Sequence, residues 1–405
     1  MDPGVRTSTA VDSGDVFDSL LTQLKALDSV ENLRHAVGPE KRQELMLQCQ
    51  KVFASLEAPF ELTQRVTYSP FLLIATRTAQ GYGILSRLAR ARSSGVPCRI
   101  SELATHTQIE EGVLISLLDY LCSQFICEEV APEEYVGTAT ADMLNAPAME
   151  VPFQNFQDII LPGGWIGFYR SLAPDESRSG WQIGRNTQST FYEWLDDPSH
   201  AVDSQKFHRF MEVQFKGIPS WLDDIDFISM YAKGAKANDV VFVDVGGGNG
   251  QESGKLRVKV PNLVGKVVVQ DLPGPLNRAP EISGVEKMEY DYTGEQTIKG
   301  ARIYYFRQIF HNNSDKDCIA ILNNHRPAMA SESVILIDEK VVPDDDKSSQ
   351  MYTSALSLSM WALFRGLERK RRQWLKLLDQ AGFEARDIRK YTDFGDCIIT
   401  AVPKE

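Results

Sequence analysis

A glycine-rich turn and a later aspartate have the residue types and spacing of a nucleoside-binding site. The run from Asp244 to Gly250 reads D-V-G-G-G-N-G, and glycine lets a turn approach a ligand closely because it has no Cβ. Asp271 ends the next apolar run, where a carboxylate can accept hydrogen bonds from both hydroxyls of a ribose. The spacing is not the G-x-G-x-x-G of dinucleotide sites, since Gln251 takes the sixth position from Gly246. We therefore predict a nucleoside ligand; the alternative is a glycine-rich turn without one.

A histidine stands where the reactive end of such a ligand is expected. Residues 302–306 read as a strand, and His311 follows the carboxyl end of that strand, on the same sheet edge as the glycine turn. Histidine can remove a proton from a hydroxyl near neutral pH because its ordinary pKa is about 6.5. A histidine at a strand end can also be purely structural, and its place on the ligand edge is what favours a catalytic role. We predict that His311 is a general base.

A parallel sheet is needed to bring these residues together. From residue 240 onward, short apolar runs alternate with amphipathic helical patterns; the runs are VVFVDV, KVVVQDL, RIYYF, SVILIDEKVV and CIITAV. Alternation of this kind is typical of the α/β class, with helices on both faces of a largely parallel sheet. We predict a Rossmann-like, doubly wound sheet in residues 238–405.

Composition and charge exclude several classes of partner. The 405 residues carry a net charge of −12, which works against binding to nucleic acid or to an anionic membrane because both require a basic face. No signal segment or membrane-length apolar run is visible, and the six cysteines have no metal-ligand spacing. The acidic run at residues 344–346 is typical of a solvated loop. We predict a cytoplasmic protein with no metal ion, no nucleic acid and no membrane partner.

The rest of the chain divides into three further segments. Residues 1–15 are predicted to be a disordered tail. Residues 16–150 begin with two amphipathic helices, and a helix-turn-helix with a β-hairpin then suggests a winged helix. Its second helix carries Glu110, Glu111 and Asp119 and no basic residue before its end, so a structural role is favoured over DNA binding. Residues 151–237 form a helical, aromatic-rich connector, some of whose rings are expected to line a substrate pocket.

Two stretches resemble a known family. The D-x-G-x-G-x-G run resembles motif I of class I S-adenosylmethionine-dependent methyltransferases. Residues 307–344, RQIFHNNSDKDCIAILNNHRPAMASESVILIDEKVVPD, resemble the catalytic stretch of the caffeic-acid-type O-methyltransferases of plants and fungi. The resemblance extends over the whole domain from about residue 240 and, more loosely, over the winged-helix dimerisation region. It implies S-adenosylmethionine as cofactor, a homodimer, and a place in the fungal secondary-metabolite branch.

The resemblance also implies site residues. His311 falls on the base of the family, and Glu339 and Glu368 fall on two glutamates that flank the ring. The residues that match cofactor-binding positions are Asp244, Gly246, Gly247 and Gly248 in the turn, the ribose-binding pair Asp271 and Leu272, the adenine-binding pair Asp291 and Tyr292, and the basic residue Arg307.

This chain departs from the family pattern on the acceptor side. The family often has Asp-Trp after the histidine, where this chain has Asn312-Asn313, and Arg365 stands where a small residue or asparagine is usual. We predict that Asn312, Trp361 and Arg365 contact the acceptor, and that the charge of Arg365 favours an anionic or carbonyl-rich molecule.

Two functions remain open. The first is transfer of a methyl group to a phenolic or enolic hydroxyl of a small planar secondary metabolite. The alternative is a cofactor-binding pericyclase or dehydratase of the same fold, which acts on a polyketide or pyridone intermediate. The histidine and both glutamates favour methyl transfer.

Overall fold

The computed structural model describes residues 13–27, 36–173, 175–214, 218–223, 225–344, 351–392 and 395–404. Residues 1–12 of the predicted tail and residues 345 and 346 of the acidic run lie outside these ranges. The chain divides into two compact units, residues 1–69 and 70–405. The boundaries predicted after residues 150 and 237 both fall inside the second unit and stay predictions.

The first unit consists of helices whose apolar side chains are exposed. Its described helices are α1 (Ser13–Leu27), α2 (Pro39–Leu56) and α3 (Pro59–Tyr68). Proline opens α2 and α3, where its missing N–H costs no hydrogen bond. Neither α2 nor α3 has a buried residue, and large apolar side chains such as Phe53 and Phe60 are more than half exposed.

The second unit opens with a winged-helix arrangement. Its elements are α4 (Pro70–Gly81), α5 (Ile84–Ser94), β1 (Cys98–Arg99), α6 (Ile100–Thr107), α7 (Glu111–Ser123), β2 (Cys127–Ala131) and β3 (Glu134–Gly137). The three short strands pair antiparallel in the order β1-β3-β2. Leucines at 114, 118 and 121 of α7 lie on one helical face and are fully buried, which explains why this helix packs against the others.

A helical segment follows. It comprises α8 (Ala139–Leu144), α9 (Pro147–Gln154), a π-helix (Asn155–Trp165), α10 (Ile166–Ser171), α11 (Gly180–Gly184), α12 (Phe191–Asp196), a 3-10 turn (Pro198–His200), α13 (Ala201–Val213) and a π turn (Ile228–Ala232). The aromatic side chains of this segment pack mostly against one another, with Trp181 and Phe191 fully buried.

The remainder of the second unit is built on one large sheet. Its strands are β4 (Val240–Val245), β5 (Lys266–Asp271), β6 (Val285–Glu289), β7 (Ile303–Arg307), β8 (Val334–Val342), β9 (Arg369–Lys370), β10 (Phe383–Lys390) and β11 (Asp396–Pro403). The strand order is β10-β11-β8-β7-β4-β5-β6, with β9 beside β8. Strands β4 to β9 pair parallel, and β10 and β11 pair antiparallel at one edge. The predicted α/β, Rossmann-like class is confirmed.

Helices cover both faces of this sheet. They are α14 (Gln251–Lys259), α15 (Pro273–Arg278), α16 (Asp315–His325), α17 (Met351–Phe364) and α18 (Arg371–Gln380), with 3-10 turns at Phe310–Asn312 and Arg326–Ala328. Tyr304 and Phe306 of β7 pack with α16 and α18, whereas Ile303 and Tyr305 pack on the opposite face with Leu256 of α14. Alternate side chains of a strand point to opposite faces, so β7 is buried on both.

The five apolar runs predicted as strands are all present. The structure adds β6 and β10, whose sequences VEKME and FEARDIRK mix charged and apolar residues. Both are edge strands, and a charged edge gives no apolar run to detect. Among the described helices, none has the length and apolar character needed to span a bilayer.

Candidate active site

The predicted site residues meet at one edge of the sheet. Because β4, β5, β7 and β8 run parallel, their carboxyl ends lie side by side. Gly246 follows β4, Asp271 ends β5, His311 follows β7, and Glu339 lies within β8 next to the register position of Arg307. This edge is where ligands of open α/β sheets bind.

The glycine turn needs glycine at each position for a local reason. Gly246, Gly248 and Gly250 have φ values of 66°, 58° and 75°, which side chains with a Cβ rarely adopt. A Cβ at Gly246 would lie 2.6 Å from Cδ1 of Ile309, and one at Gly247 would lie 2.6 Å from the carboxyl carbon of Asp244. The turn is therefore an open backbone cradle at the start of α14, whose amide groups face the edge of the sheet.

Asp244 of β4 joins the strand before the glycine turn to the helix after it. It is 2% exposed, and its Oδ2 accepts hydrogen bonds from the backbone N (3.2 Å) and Oγ (2.7 Å) of Ser253 in α14. Burial raises the pKa of Asp244 to about 7, against the effect of the Ser253 hydrogen bonds. Ser253 is a site residue that the sequence interpretation did not single out; it follows the glycine run in the first turn of the helix.

Asp271 connects the second strand to the glycine turn. Its Oδ2 accepts from the backbone N of Gly248 at 2.8 Å, and its Oδ1 accepts from the backbone N of Leu272 at 2.7 Å. Burial raises the pKa of the Asp271 carboxyl. A carboxylate directly beside an open glycine cradle, held by that cradle, fits the ribose of a nucleoside.

The remaining cofactor positions lie around the same edge. A Cβ at Gly246 would lie 3.6 Å from the ring of Tyr292, so Tyr292 borders the cradle. Asp291 is exposed, and its Oδ1 accepts from the backbone N (2.9 Å) and hydroxyl (2.7 Å) of Thr293. Leu272 is 48% exposed, which leaves its side chain accessible. The residues present therefore fit a nucleoside, and their individual contacts with it stay predictions.

Arg307 braces the helix behind the glycine turn. Its Nη1 lies 2.9 Å from Glu252 Oε1 in α14 and 3.2 Å from Asp338 Oδ2 in β8. Asp338 also accepts hydrogen bonds from the hydroxyls of Tyr305 (2.5 Å) and Tyr391 (2.7 Å). These contacts fix α14 to the two central strands, while an approach of Arg307 to the cofactor stays a prediction.

Three buried residues form the candidate catalytic cluster. His311 Nδ1 lies 2.7 Å from Glu368 Oε1 and 3.7 Å from Glu339 Oε2. The other oxygen of Glu339 accepts from the backbone N of Phe310 at 2.8 Å, which fixes the carboxylate under the histidine turn. His311, Glu339 and Glu368 are 7%, 2% and 7% exposed, so solvent screens their charges weakly.

The two carboxylates change the acid–base behaviour of the histidine. Burial lowers the pKa of His311, but the charges of Glu339 and Glu368 and the hydrogen bond to Glu368 more than offset burial and raise it to about 9. Burial likewise raises the pKa of Glu339 to about 7, opposed by the charge of His311. With Nδ1–H donating to Glu368, the second ring nitrogen, Nε2, is the one left to take a proton.

The chain reaches this geometry through two tight contacts. A 3-10 turn, Phe310–Asn312, carries His311 off the end of β7. Gly366 packs directly on this turn, since a Cβ there would lie 2.0 Å from the carbonyl oxygen of His311. Two residues later, the backbone N of Glu368 donates to Ser357 Oγ of α17 at 3.1 Å. Local sequence gives no sign of Gly366 or Ser357 as supporting residues.

Asn312 and an aromatic pair line the neighbouring space. Asn312 Nδ2 donates to the carbonyl of Gln308 at 3.1 Å and to the hydroxyl of Tyr192 at 3.4 Å. The Tyr192 ring stacks on Phe364 with centroids 5.3 Å apart and planes 20° apart. The structure thereby identifies Tyr192 as a ring of the aromatic connector that reaches the histidine turn, a choice that the sequence left open.

Trp361 lies in the last turn of α17, and Arg365 follows the end of that helix. The Trp361 Nε1 atom is buried, and no described residue accepts a hydrogen bond from it. The Arg365 guanidinium lies 5.0 Å from the centre of the Trp361 ring and donates to three backbone carbonyls. Contact of these residues with an acceptor, and the preference for an anionic acceptor, stay predictions.

The catalytic cluster also has the composition of a metal site. One ligand atom from each of His311, Glu339 and Glu368 can be chosen so that all lie within 4.8 Å of one another. The 2.7 Å contact between Nδ1 and Glu368 is, however, a direct hydrogen bond. The prediction that no metal is used stays a prediction.

Comparisons with known proteins agree with this geometry. Residues 237–384 match the family model of the O-methyltransferase domain. Demethylsterigmatocystin 6-O-methyltransferase of Aspergillus flavus is 30% identical over 353 residues, which cover 85% of this chain and 89% of that protein. The 16-O-methyltransferase bsc6 of Alternaria brassicicola is 30% identical over 90% of this chain and 91% of that protein.

Solved structures share the fold over almost the whole chain. LepI in complex with S-adenosylmethionine aligns with a TM-score of 0.77 at 23% identity and covers 97% of this chain and 100% of that chain. A structure described as a pericyclic reaction enzyme aligns equally well, with a TM-score of 0.77 and the same coverage. OxaC in complex with S-adenosylhomocysteine and oxaline has a TM-score of 0.78 at 22% identity, covering 97% of this chain and 98% of that chain. Taken with the relatives above, the chain belongs to the O-methyltransferase family, whose methyl donor is S-adenosylmethionine.

Proposed function

We propose that this chain transfers a methyl group from S-adenosylmethionine to a phenolic or enolic hydroxyl of a small planar secondary metabolite. The single observation that carries the proposal is the buried 2.7 Å contact between His311 Nδ1 and Glu368 at the ligand edge of the sheet. When bound, S-adenosylmethionine supplies a methyl group on a sulfonium sulfur, which is already a good leaving group. The chain must then hold the acceptor in line and remove one proton.

His311 is suited to remove that proton. A phenolic hydroxyl has an ordinary pKa near 10, and the pKa of about 9 for His311 is close to it. A proton can therefore pass from the acceptor to Nε2 without a large free-energy cost. Glu368 holds Nδ1–H and so selects this orientation, and both carboxylates stabilise the imidazolium that results.

The chain supplies a matching place for each substrate. We propose that the glycine turn and Asp271 hold the ribose end of the cofactor together with Leu272, and that Asp291 and Tyr292 hold its adenine. On the acceptor side, we propose contacts from Asn312 and Trp361 and a wall from Tyr192. Asn312 directly follows the base in the chain and contacts Tyr192, and a lining of aromatic and amide side chains suits a planar, oxygen-bearing acceptor.

We further propose that the enzyme needs no metal. Direct hydrogen bonding between His311 and Glu368 does the orienting that a metal ion would otherwise do. Methyl transfer should therefore continue at an unchanged rate after dialysis against a chelator. A rate that falls after chelation and returns with one divalent cation would contradict metal independence.

A homodimer and a cytoplasmic location complete the proposal. Support for the homodimer comes from α2 and α3, which have exposed apolar residues and no buried ones, as expected of helices that pack against a second copy. Support for a reducing compartment comes from the six cysteines, which are all free.

The proposal is tested with the purified protein, methyl-labelled S-adenosylmethionine and a panel of phenolic and enolic acceptors. We expect label in the product together with stoichiometric S-adenosylhomocysteine. Replacement His311→Ala should lower kcat by about 10²–10⁴-fold because a general base contributes that much, while the Kd for the cofactor stays within about twofold. His106→Ala, an exposed histidine on α6, is the matched control. Turnover that is equal in the wild type and His311→Ala would remove His311 as base.

A pericyclase is the second candidate, because a pericyclic reaction enzyme shares this fold over 97% of the chain. The same assay separates the two functions. Conversion of an acceptor at unchanged mass, or with loss of water, while the labelled cofactor remains intact would favour the pericyclase.

A further inference from the structure

Arg365 has an unusual backbone conformation directly between two parts of the site. It follows the last residue of α17, and its φ is +62°, a left-handed value that a side chain with a Cβ rarely adopts. Glycine would adopt this conformation without strain. An arginine in this strained conformation points to a specific task for its side chain.

The guanidinium is surrounded by backbone carbonyls from the aromatic connector. Nη1 donates to the carbonyl oxygens of Glu176 and Arg178, each at 3.0 Å, and to that of Ser171 at 3.4 Å. Ser171 ends α10, and Arg178 lies just before α11. One positively charged group therefore joins the ends of two helices, and we call these three oxygens the carbonyl trio.

The side chains of Glu176 and Arg178, whose carbonyls belong to the trio, are paired with each other. The Glu176 carboxylate accepts from Arg178 Nε at 3.0 Å and from Arg178 Nη2 at 2.7 Å. Arg365 thus contacts the backbone of this segment, and its interaction does not depend on the side chain of Glu176. A carbonyl is a fixed dipole, so the guanidinium is held in a defined position.

On its other side, Arg365 is tied to the catalytic cluster through three residues of chain. Gly366 is packed on the carbonyl of His311, where no Cβ would fit, and Glu368 then places its carboxylate 2.7 Å from Nδ1. Because Gly366 and Glu368 follow Arg365 so closely, a shift of Arg365 moves the carboxylate that orients the histidine. Positions in a catalytic cluster must hold to within a fraction of an ångström for full rate.

We propose that Arg365 is a positioning residue, which fixes Glu368 and hence the orientation of the His311 imidazole by anchoring the chain to the carbonyl trio. The proposal rests on the proposed function, in which His311 is the base. It gives Arg365 an indirect role: the residue acts through Glu368 and the connector, and its charge is directed at backbone oxygens.

Two substitutions at Arg365 test this proposal in the full-length protein. Arg365→Gly removes the guanidinium and relieves the left-handed backbone, and Arg365→Lys keeps the positive charge but lacks the planar guanidinium that contacts the trio. Glu133→Gly is the matched control, because Glu133 has a φ of +61° in the exposed β2–β3 turn, far from the sheet edge in sequence. If relief of backbone strain alone mattered, both glycine variants would behave alike.

The readouts are kcat, the KM of the acceptor, the Kd of S-adenosylmethionine, and the titration of His311 followed by NMR with isotope-labelled histidine. Only six histidines are present, and His311→Asn assigns the signal. We expect Arg365→Gly to lower kcat at least about tenfold with an unchanged cofactor Kd, and to move the His311 titration to lower pH because Glu368 is no longer held. Arg365→Lys should lie between this variant and the wild type, and Glu133→Gly should match the wild type.

Several outcomes would overturn the proposal. A folded Arg365→Gly with unchanged kcat and unchanged titration would show that Arg365 positions nothing. A loss of kcat with an unaltered His311 titration would show that it acts by another route. Should Arg365→Gly fail to fold, the titration in Arg365→Lys decides between the same two results. The NMR titration needs no turnover, so it tests the positioning role even if the wild type transfers no methyl group.

Discussion

At the scale of single residues, the site is a histidine held between two buried carboxylates. The hydrogen bond to Glu368 and the charge of Glu339 favour the protonated ring, and together they outweigh the cost of burying a charge. The resting protein therefore holds a proton on His311 at neutral pH, and this proton must leave before the histidine can serve as the proposed base. The same two glutamates set the pKa of His311, and so they set both its strength as a base and the fraction of His311 that is unprotonated at neutral pH.

This linkage predicts the pH dependence of the reaction. The base must be unprotonated to act, so kcat/KM should rise about tenfold per pH unit below the pKa of His311 and level off above about 9. Glu368→Gln removes one negative charge and should move the midpoint to lower pH while it reduces the plateau. Steady-state rates over a pH series, at constant ionic strength, measure both.

Glu339→Gln is the companion variant for that experiment. Its carboxylate lies 3.7 Å from Nδ1 and does not replace the hydrogen bond of Glu368. We expect a shift of the midpoint in the same direction, with a smaller loss of plateau rate. A midpoint that stays in place in both variants would mean that a group other than His311 limits the rate.

Tyr192 gives a second prediction at this scale. Its hydroxyl makes a hydrogen bond of 3.4 Å with Asn312, and its ring is stacked on Phe364. Tyr192→Phe keeps the stack and removes the hydroxyl, so the acceptor KM should rise several-fold, about the worth of one hydrogen bond, with little change in cofactor Kd. Tyr169→Phe, at a position that is 85% exposed, is the control. An equal rise in cofactor Kd would place Tyr192 on the cofactor side instead.

Sequence could predict some of these residues and not others. Asp271 ends one buried strand and His311 follows another, so their place on the ligand edge follows from the alternation of strands and helices. Glu339 and Glu368 were identified only through family resemblance, since nothing in LERKRR indicates contact with a histidine. The partners of Arg365 are nearly two hundred positions away in the chain, and they are backbone atoms that no side-chain pattern reveals.

At the scale of elements, the connector depends on an unusually close crossing of helices. Gly163 and Gly167 lie on the π-helix and α10, and Gly180 and Gly184 lie on α11 at the same spacing of four. A Cβ at Gly167 would lie 1.8 Å from the carbonyl oxygen of Gly180, and one at Gly184 would lie 2.0 Å from that of Gly163. Backbone meets backbone here, so no side-chain rearrangement can make room.

The crossing predicts a large loss of stability for a small change. Gly167→Ala should lower the free energy of unfolding by about 1–3 kcal/mol or more, as overpacking does. It should also reduce turnover, because the carbonyl trio lies at the end of α10 (Ser171) and in the loop from α10 to α11 (Glu176 and Arg178). Urea denaturation followed by tryptophan fluorescence measures the loss.

Gly112→Ala is the matched control for the crossing. Gly112 is exposed in the first turn of α7. The atom nearest to a Cβ placed there would be the side-chain oxygen Oε1 of Glu110, at 3.8 Å. Alanine is the better helix former, so this variant should be as stable as the wild type or more so. Equal behaviour of the two variants would show that the crossing tolerates a Cβ after all.

At the scale of the whole molecule, the sheet was predictable and the helical connector much less so. Buried parallel strands give continuous apolar runs, which is why β4, β5, β7, β8 and β11 could be predicted from the sequence. The charged edge strands β6 and β10 lack that signal. The π-helix arises from tertiary packing around glycines and Pro162, and helical periodicity alone cannot distinguish it from an α-helix.

The loss of stability in acid has an identifiable origin in a second buried histidine, which lies outside the candidate site. His325 of α16 is fully buried; its Nδ1 donates to the carbonyl of Ile321 at 2.8 Å, and its Nε2 accepts from Gln296 at 3.2 Å. Gln296 and Gln270, also fully buried, exchange two further hydrogen bonds. If Nε2 were protonated, its N–H would point at the N–H of Gln296, and two donors would face each other in a buried network without an acceptor. Burial accordingly lowers the pKa of His325 to about 4.

The sign of the pH dependence follows from that shift. Between pH 6.5 and 4, the unfolded chain binds a proton at His325 that the folded protein does not, so stability from this group is complete above pH 6.5 and is lost as the pH falls toward 4. A shift of 2.5 units corresponds to about 3 kcal/mol. His311, whose pKa is raised to about 9, acts instead between pH 6.5 and 9 and loses its contribution as the pH rises.

Comparison with a variant isolates His325 from other groups that titrate in the same window. The pKa values of Glu339 and Asp244, raised to about 7, favour the folded protein at lower pH and oppose the effect of His325. His325→Gln keeps a donor and an acceptor but cannot be protonated. The stability gap between wild type and variant, from urea denaturation at a series of pH values, should therefore be largest above pH 6.5 and shrink by up to about 3 kcal/mol toward pH 4. A gap that is constant with pH would mean that His325 has the same pKa in the folded and the unfolded protein, and that the glutamine network accommodates the charge.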